Sequence, residues 1–129
     1  MAHELWINLP VKDLKKSREF FKMLGFKLNE RFADSEDMAG LVIGDHQVMV
    51  MLFPEATFQS FTGSPVADPQ QGSEVLLSIS MNSQREVREM TEKAKNAGGK
   101  VFAEPGERNG IYGAGFCDLD GHRWNLLIM

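Results

Sequence analysis

The chain has 129 residues, 43% hydrophobic and 25% charged. That mix suits a folded globular domain and excludes a collagen-like, disordered or coiled-coil chain. The net charge is -4 and the 14 Lys and Arg are scattered, so no basic stripe awaits a nucleic acid.

The longest apolar run, residues 48–53, falls far short of the roughly 20 residues that span a membrane. The opening MAHELW has no basic region followed by an apolar stretch, so no signal peptide is expected. One cysteine makes no internal disulfide, which fits the cytoplasm.

Residues 5–9 are an apolar β-type run that Pro10 is expected to end, because proline cannot donate to a ladder. Asp13 stands where an N-cap belongs. Leu14, Phe21 and Leu24 follow at helical spacing, and Gly25 offers a left-handed stop. Strands are expected over residues 26–32, 39–43 and 48–53, with Gly44, Asp45 and His46 turning between the last two. Residues 54–73 hold three of the five prolines and read as a loop joining two modules. Phe58 and Phe61 within it are candidates for closing over a cavity, packing on a partner, or packing on their own domain.

The order then repeats. Residues 75–81 read as a strand. Ser83 and Glu86 form a capping box, and Val87, Met90, Ala94 and Ala97 make a buried helical stripe stopped by Gly98 and Gly99. Residues 100–103 are a short strand. Residues 111–117 and 123–128 form a hairpin around Asp118 to His122. Each half is therefore β-α-β-β-β: module one 1–53, linker 54–73, module two 74–129.

Asn8-Leu9-Pro10-Val11-Lys12-Asp13-Leu14-Lys15-Lys16-Ser17, with Phe20-Phe21 and Leu24-Gly25-Phe26, resembles the opening of the vicinal oxygen chelate superfamily. That group includes glyoxalases, bleomycin-resistance proteins and extradiol dioxygenases. Phe116 to Asn125 resembles its closing hairpin. The resemblance implies one α+β domain over 1–129. Two tandem βαβββ modules would form a curved, cleft-lined mixed sheet, in most members as a homodimer. The fold hosts lyases, dioxygenases and ligand-sequestering proteins, so function rests on the site.

The resemblance also implies where a divalent metal would be held, by His and Glu on strands of both modules. Those positions fall on Trp6, near Leu76, and on Asn125. Indole and alkyl chains do not ligate, and an Asn carbonyl is a weak neutral donor. A tight transition-metal site needs three or four N, O or S donors. No metal is expected at the usual positions. Glu4, Glu74 and His122, near strand ends, are the alternative donors if a metal sits elsewhere.

Strand alternation places Leu5, Ile7 and Leu9 against the helices, with Glu4, Trp6 and Asn8 on the opposite face. It likewise places Glu74, Leu76, Ser78 and Ser80, and Arg123, Asn125 and Leu127, away from the core. Met49 and Met51 are candidates for the same surface, although alternation leaves their phase open. Trp6, Asn8, Met49, Met51, Leu76, Ser78 and Asn125 thus make a mixed apolar and polar lining suited to a small organic molecule. His46 and His122 read as polar turn residues, and Cys117 as a buried inert thiol. Asn109 to Gly115 is glycine-rich without the Lys-Ser or Lys-Thr of a phosphate loop, and reads as a flexible loop or a tight strand crossing beside the cleft.

Three functions fit these residues: a metal-independent binder of a small organic ligand, a metal-dependent lyase or dioxygenase with relocated ligands, and an association module with a filled cleft.

Overall fold

The protein is described from a computed structural model that covers residues 1–129. Its contacts divide into two compact units, Met1–Ala67 and Asp68–Met129. Each unit contains one four-stranded mixed sheet. No helix is long and apolar enough to cross a membrane.

In the first unit, β1 (Trp6–Val11) leads to α1 (Leu14–Met23), then β2 (Lys27–Leu28), β3 (Ala39–Ile43) and β4 (Val48–Pro54). The strand order is β1-β4-β3-β2. β1 runs parallel to β4, and the other pairs are antiparallel. Asp13 caps α1 by accepting the Lys16 amide at 3.0 Å. Gly25 leaves the helix at φ +91°, a conformation an L side chain rarely adopts. Leu14, Phe20, Phe21 and Leu24 bury one helix face, and Leu9, Val11, Leu41, Val50 and Leu52 are the buried sheet residues of the same core.

Several expectations for this half need correction. β1 does not stop before Pro10 but runs on to Val11. It is an edge strand pairing only with β4, where a missing amide is tolerated. Leu5 lies outside the strand and is exposed. Residues 26–32 are not one strand: after Leu28, Asn29 caps a 3-10 turn over Glu30–Phe32 by accepting the Arg31 amide at 3.0 Å. The segment after β4 is not all loop. It contains α2 (Glu55–Thr62), which lies against β1 and β4. Phe61 meets Phe53 edge-to-face at 5.1 Å, so this part of the segment packs on its own unit.

The second unit repeats the plan with β5 (Leu76–Ser80), α3 (Gln84–Asn96), β6 (Lys100–Arg108), β7 (Ile111–Cys117) and β8 (Arg123–Leu127). The order is β5-β8-β7-β6, again with one parallel pair. Ser83 accepts the Glu86 amide at 3.1 Å, and the Glu86 carboxylate reaches the Asn82 amide. Trp124, Phe116 and Leu126 are fully buried with Val87 and Ala94 of α3. The Phe116 and Trp124 rings lie parallel, 6.3 Å apart.

β6 is longer than the expected 100–103. It reaches Arg108 and turns through Asn109 (φ +54°) and Gly110 (φ +81°) into β7, the left-handed pair of a tight hairpin. The glycine-rich run is therefore a hairpin turn and a strand, not a flexible loop.

Candidate functional site

In the first unit the helix covers one sheet face, and register defines the other. Trp6 pairs with Met49 and Asn8 with Met51, so all four project to the side away from α1. This fixes the phase of the two methionines. Trp6 is 54% exposed and Asn8 is exposed, Met49 is half-buried, and Met51 is buried. Gly40 pairs with Met51, and a Cβ there would lie 2.7 Å from the Met49 methyl and 3.2 Å from the Met51 sulfur. The thioethers therefore pack over a glycine and fill part of this face. Asn29 Nδ2 approaches the Met49 sulfur at 3.9 Å. The result is an exposed indole beside an amide and a deformable thioether floor.

The second unit has the same register with different chemistry. Leu76 pairs with Arg123, and Ser78 with Asn125. Asn125 Nδ2 donates to Ser78 Oγ at 3.4 Å. Gly115 pairs with Asn125, as Gly40 does with Met51. Here the space over the glycine is taken by Phe102, whose Cζ lies 2.3 Å from where a Cβ would be. Phe102 is the extra residue where the β6–β7 register slips between Val101 and Ala103, and such a bulge re-aims a side chain. The Arg123 guanidinium carbon sits 4.4 Å from the Phe102 ring centroid.

The structure thus brings Trp6, Asn8, Met49 and Met51 together on one sheet face, and Leu76, Ser78 and Asn125 on the other unit's sheet face. Phe102 and Arg123 are additions to the second set. Alternation alone places Arg123 on that face, but its aromatic partner depends on the bulge. The Asn109-Gly110 pair was the available signal for the longer hairpin that contains Phe102.

The donors proposed for a relocated metal are divided between the two units. Glu4 is exposed ahead of β1, Glu74 is exposed ahead of β5, and His122 is half-buried in the β7–β8 turn. Nowhere do three or more His, Cys, Asp or Glu side chains gather to hold a metal ion. Trp6, Leu76 and Asn125 do not fit one either, for want of ligating donors.

The β7–β8 turn is organised by Asp118, which is 5% exposed. One of its oxygens accepts the Asp120 and His122 amides at 3.0 Å each, and the other accepts Trp124 Nε1 at 3.1 Å. Burial pushes its carboxyl above the ordinary 3.8, against the opposing pull of His122, the Trp124 indole and the Asp120 amide. Asp118 is a structural anchor that fixes where β8 begins, and hence Arg123 and Asn125. Cys117, just before it, is buried and unbridged.

Residues 4–44 match the family model described as bleomycin resistance protein-like N-terminal. A hypothetical protein of S. aureus is 40% identical over all of this chain and 95% of its own, with a TM-score of 0.89. A glyoxalase-related enzyme from Fulvimarina pelagi is 18% identical, covers 100% of this chain and 89% of its own, and has a TM-score of 0.83. The chain belongs to the vicinal oxygen chelate superfamily.

A further likeness within the superfamily is to a bleomycin-binding protein solved with bleomycin, 20% identical over 99% of each chain with a TM-score of 0.64. At that identity it shows the shared fold alone. A comparison with functionally curated proteins gives no match. The superfamily's βαβββ plan is met in both units, with strands and helices in the expected order.

Proposed function

We propose that this superfamily member is a metal-independent binder of a small organic ligand on the sheet faces that the helices leave uncovered. The observation that carries this reading is Trp6. A superfamily metal-ligand position holds a 54% exposed indole on a strand whose alternate residues are buried. Exposing so large an apolar ring costs hydrophobic free energy, which a planar or cationic ligand stacked on it would recover. Asn8 is the adjacent hydrogen-bonding group, and Met49 and Met51 are side chains that adapt their shape. Asn125 and Ser78 supply the polar contacts of the second face. The protein of like fold solved with bleomycin supports this reading. The functional unit in this reading is a cytoplasmic homodimer, checked by light scattering in solution.

Intrinsic fluorescence tests the binding. The chain has two tryptophans, and buried Trp124 is a fixed background. Titration with a panel of aromatic and cationic compounds is expected to shift the Trp6 emission saturably, and Trp6→Ala is expected to abolish the shift. Emission that no compound changes, or affinity that survives Trp6→Ala, overturns the reading. Titration with Ni²⁺, Mn²⁺ and Fe²⁺ tests the metal-independent part, which a tightly held stoichiometric metal would sink.

A further inference from the structure

We infer that the open face of the second unit's sheet binds the carboxylate of a small organic acid, with Arg123 as its charge partner. The inference rests on the proposed binding function and names the ligand class for one of its faces.

Three of the other five arginines are engaged by hydrogen bonds or an ion pair, and Arg31, which lies 5.5 Å over the Phe32 ring, is exposed where Arg123 is half-buried. Arg18 donates to the carbonyls of Phe32, Ser35 and Met38. Arg85 pairs with Glu89, and Arg108 bonds the Glu104 carbonyl. Arg123 is half-buried, yet no carboxylate of its own unit pairs with it, and its one partner is the face of the Phe102 ring. A ring under the plane of a guanidinium holds that plane in place and leaves its N–H edge available. That edge matches the two oxygens of a carboxylate.

The surroundings favour an anion. The register positions on this face of β5, β7 and β8 are Leu76, Ser78 and Ser80, Gly113, Gly115 and Cys117, and Arg123, Asn125 and Leu127. None is acidic. Ser78 Oγ accepts from Asn125, so its own proton is free to donate outward. One fixed guanidinium flanked by neutral donors suits a planar monoanion better than a phosphate, which gathers several charges.

The test uses the whole chain and benzoate, followed by amide chemical shifts of Gly113 and Gly115, at low ionic strength. Benzamide serves as the uncharged isostere and inorganic phosphate as the competing anion. Benzoate is expected to shift both glycine amides saturably, at least tenfold more tightly than benzamide or phosphate. Arg123→Gln is expected to weaken benzoate about tenfold and leave benzamide unchanged, with Arg123→Lys in between because it keeps the charge and loses the fork.

Equal binding of benzoate and benzamide overturns the carboxylate inference and leaves the binding function standing. So does undiminished benzoate binding in Arg123→Gln, or phosphate binding more tightly than benzoate. If no probe shifts these amides, the inference falls. The binding function falls with it only if Trp6 emission is also silent to every ligand.

Discussion

Replacing Asp118 with Ala tests the anchor that positions the second face. The substitution removes the acceptor of a fully buried Trp124 N–H at 3.1 Å, which costs about 1–3 kcal/mol. It also frees the Asp120 and His122 amides, each bonded at 3.0 Å in a half-buried turn that water can reach, for roughly 0.5–1 kcal/mol each. Relief of the carboxylate's burial offsets part of this. The net loss is about 2–4 kcal/mol, a Tm fall on the order of 10 °C for a chain of this size.

Asp118→Asn keeps an oxygen for the two amides but turns an N–H₂ toward the indole N–H, so about 1–2 kcal/mol is expected. Urea unfolding followed by far-UV circular dichroism measures both, with an unchanged slope as the control. A loss below about 0.5 kcal/mol for Asp118→Ala, or equal losses for both variants, would refute the anchoring argument.

The pH dependence has a definite sign. Burial raises the folded carboxyl above 3.8, so the folded state keeps a proton that the unfolded chain has already released. Stability contributed by this group is present below about 3.8 and declines as pH rises through the raised folded value. The stability gap between wild type and Asp118→Asn should narrow across that window. A widening gap would mean that the three hydrogen bonds outweigh burial.

Gly113→Ala places a methyl 2.3 Å from the Leu126 carbonyl oxygen, a backbone atom, and should cost about 3 kcal/mol or more. Gly40→Ala meets the movable Met49 methyl instead, and should cost under about 1.5 kcal/mol by the same unfolding assay. Arg18→Ala strips its guanidinium from the Phe32, Ser35 and Met38 carbonyls, with an expected loss of about 2 kcal/mol. Hydrogen exchange should rise first over residues 32–38. Asp13→Ala removes the α1 cap and should cost about 1 kcal/mol, with Asp13→Asn close to wild type.

Much of the fold was legible from local chemistry. The caps Asp13 and Ser83, the stop at Gly25 and the strand at 39–43 all rest on neighbours within a few residues. So does the inward and outward alternation of Trp6 against Leu9, or of Asn125 against Trp124. These follow from side-chain hydrogen bonding and the two-residue period of a strand, which the sequence states directly.

What only tertiary structure decided is non-local. Pro10 sits inside β1 because that strand is an edge, and edge status depends on which strands pair. The phase of Met49 and Met51 comes from their register with Trp6 and Asn8, strands separated by more than forty residues. Phe102 reaches the face over Gly115 because one extra residue is accommodated against β7, and no local pattern sets where that bulge falls. The sequence by itself determined the order of elements and which residues avoid the core. Pairing between distant strands decided which of those residues stand together, and it set Arg123 on an aromatic ring.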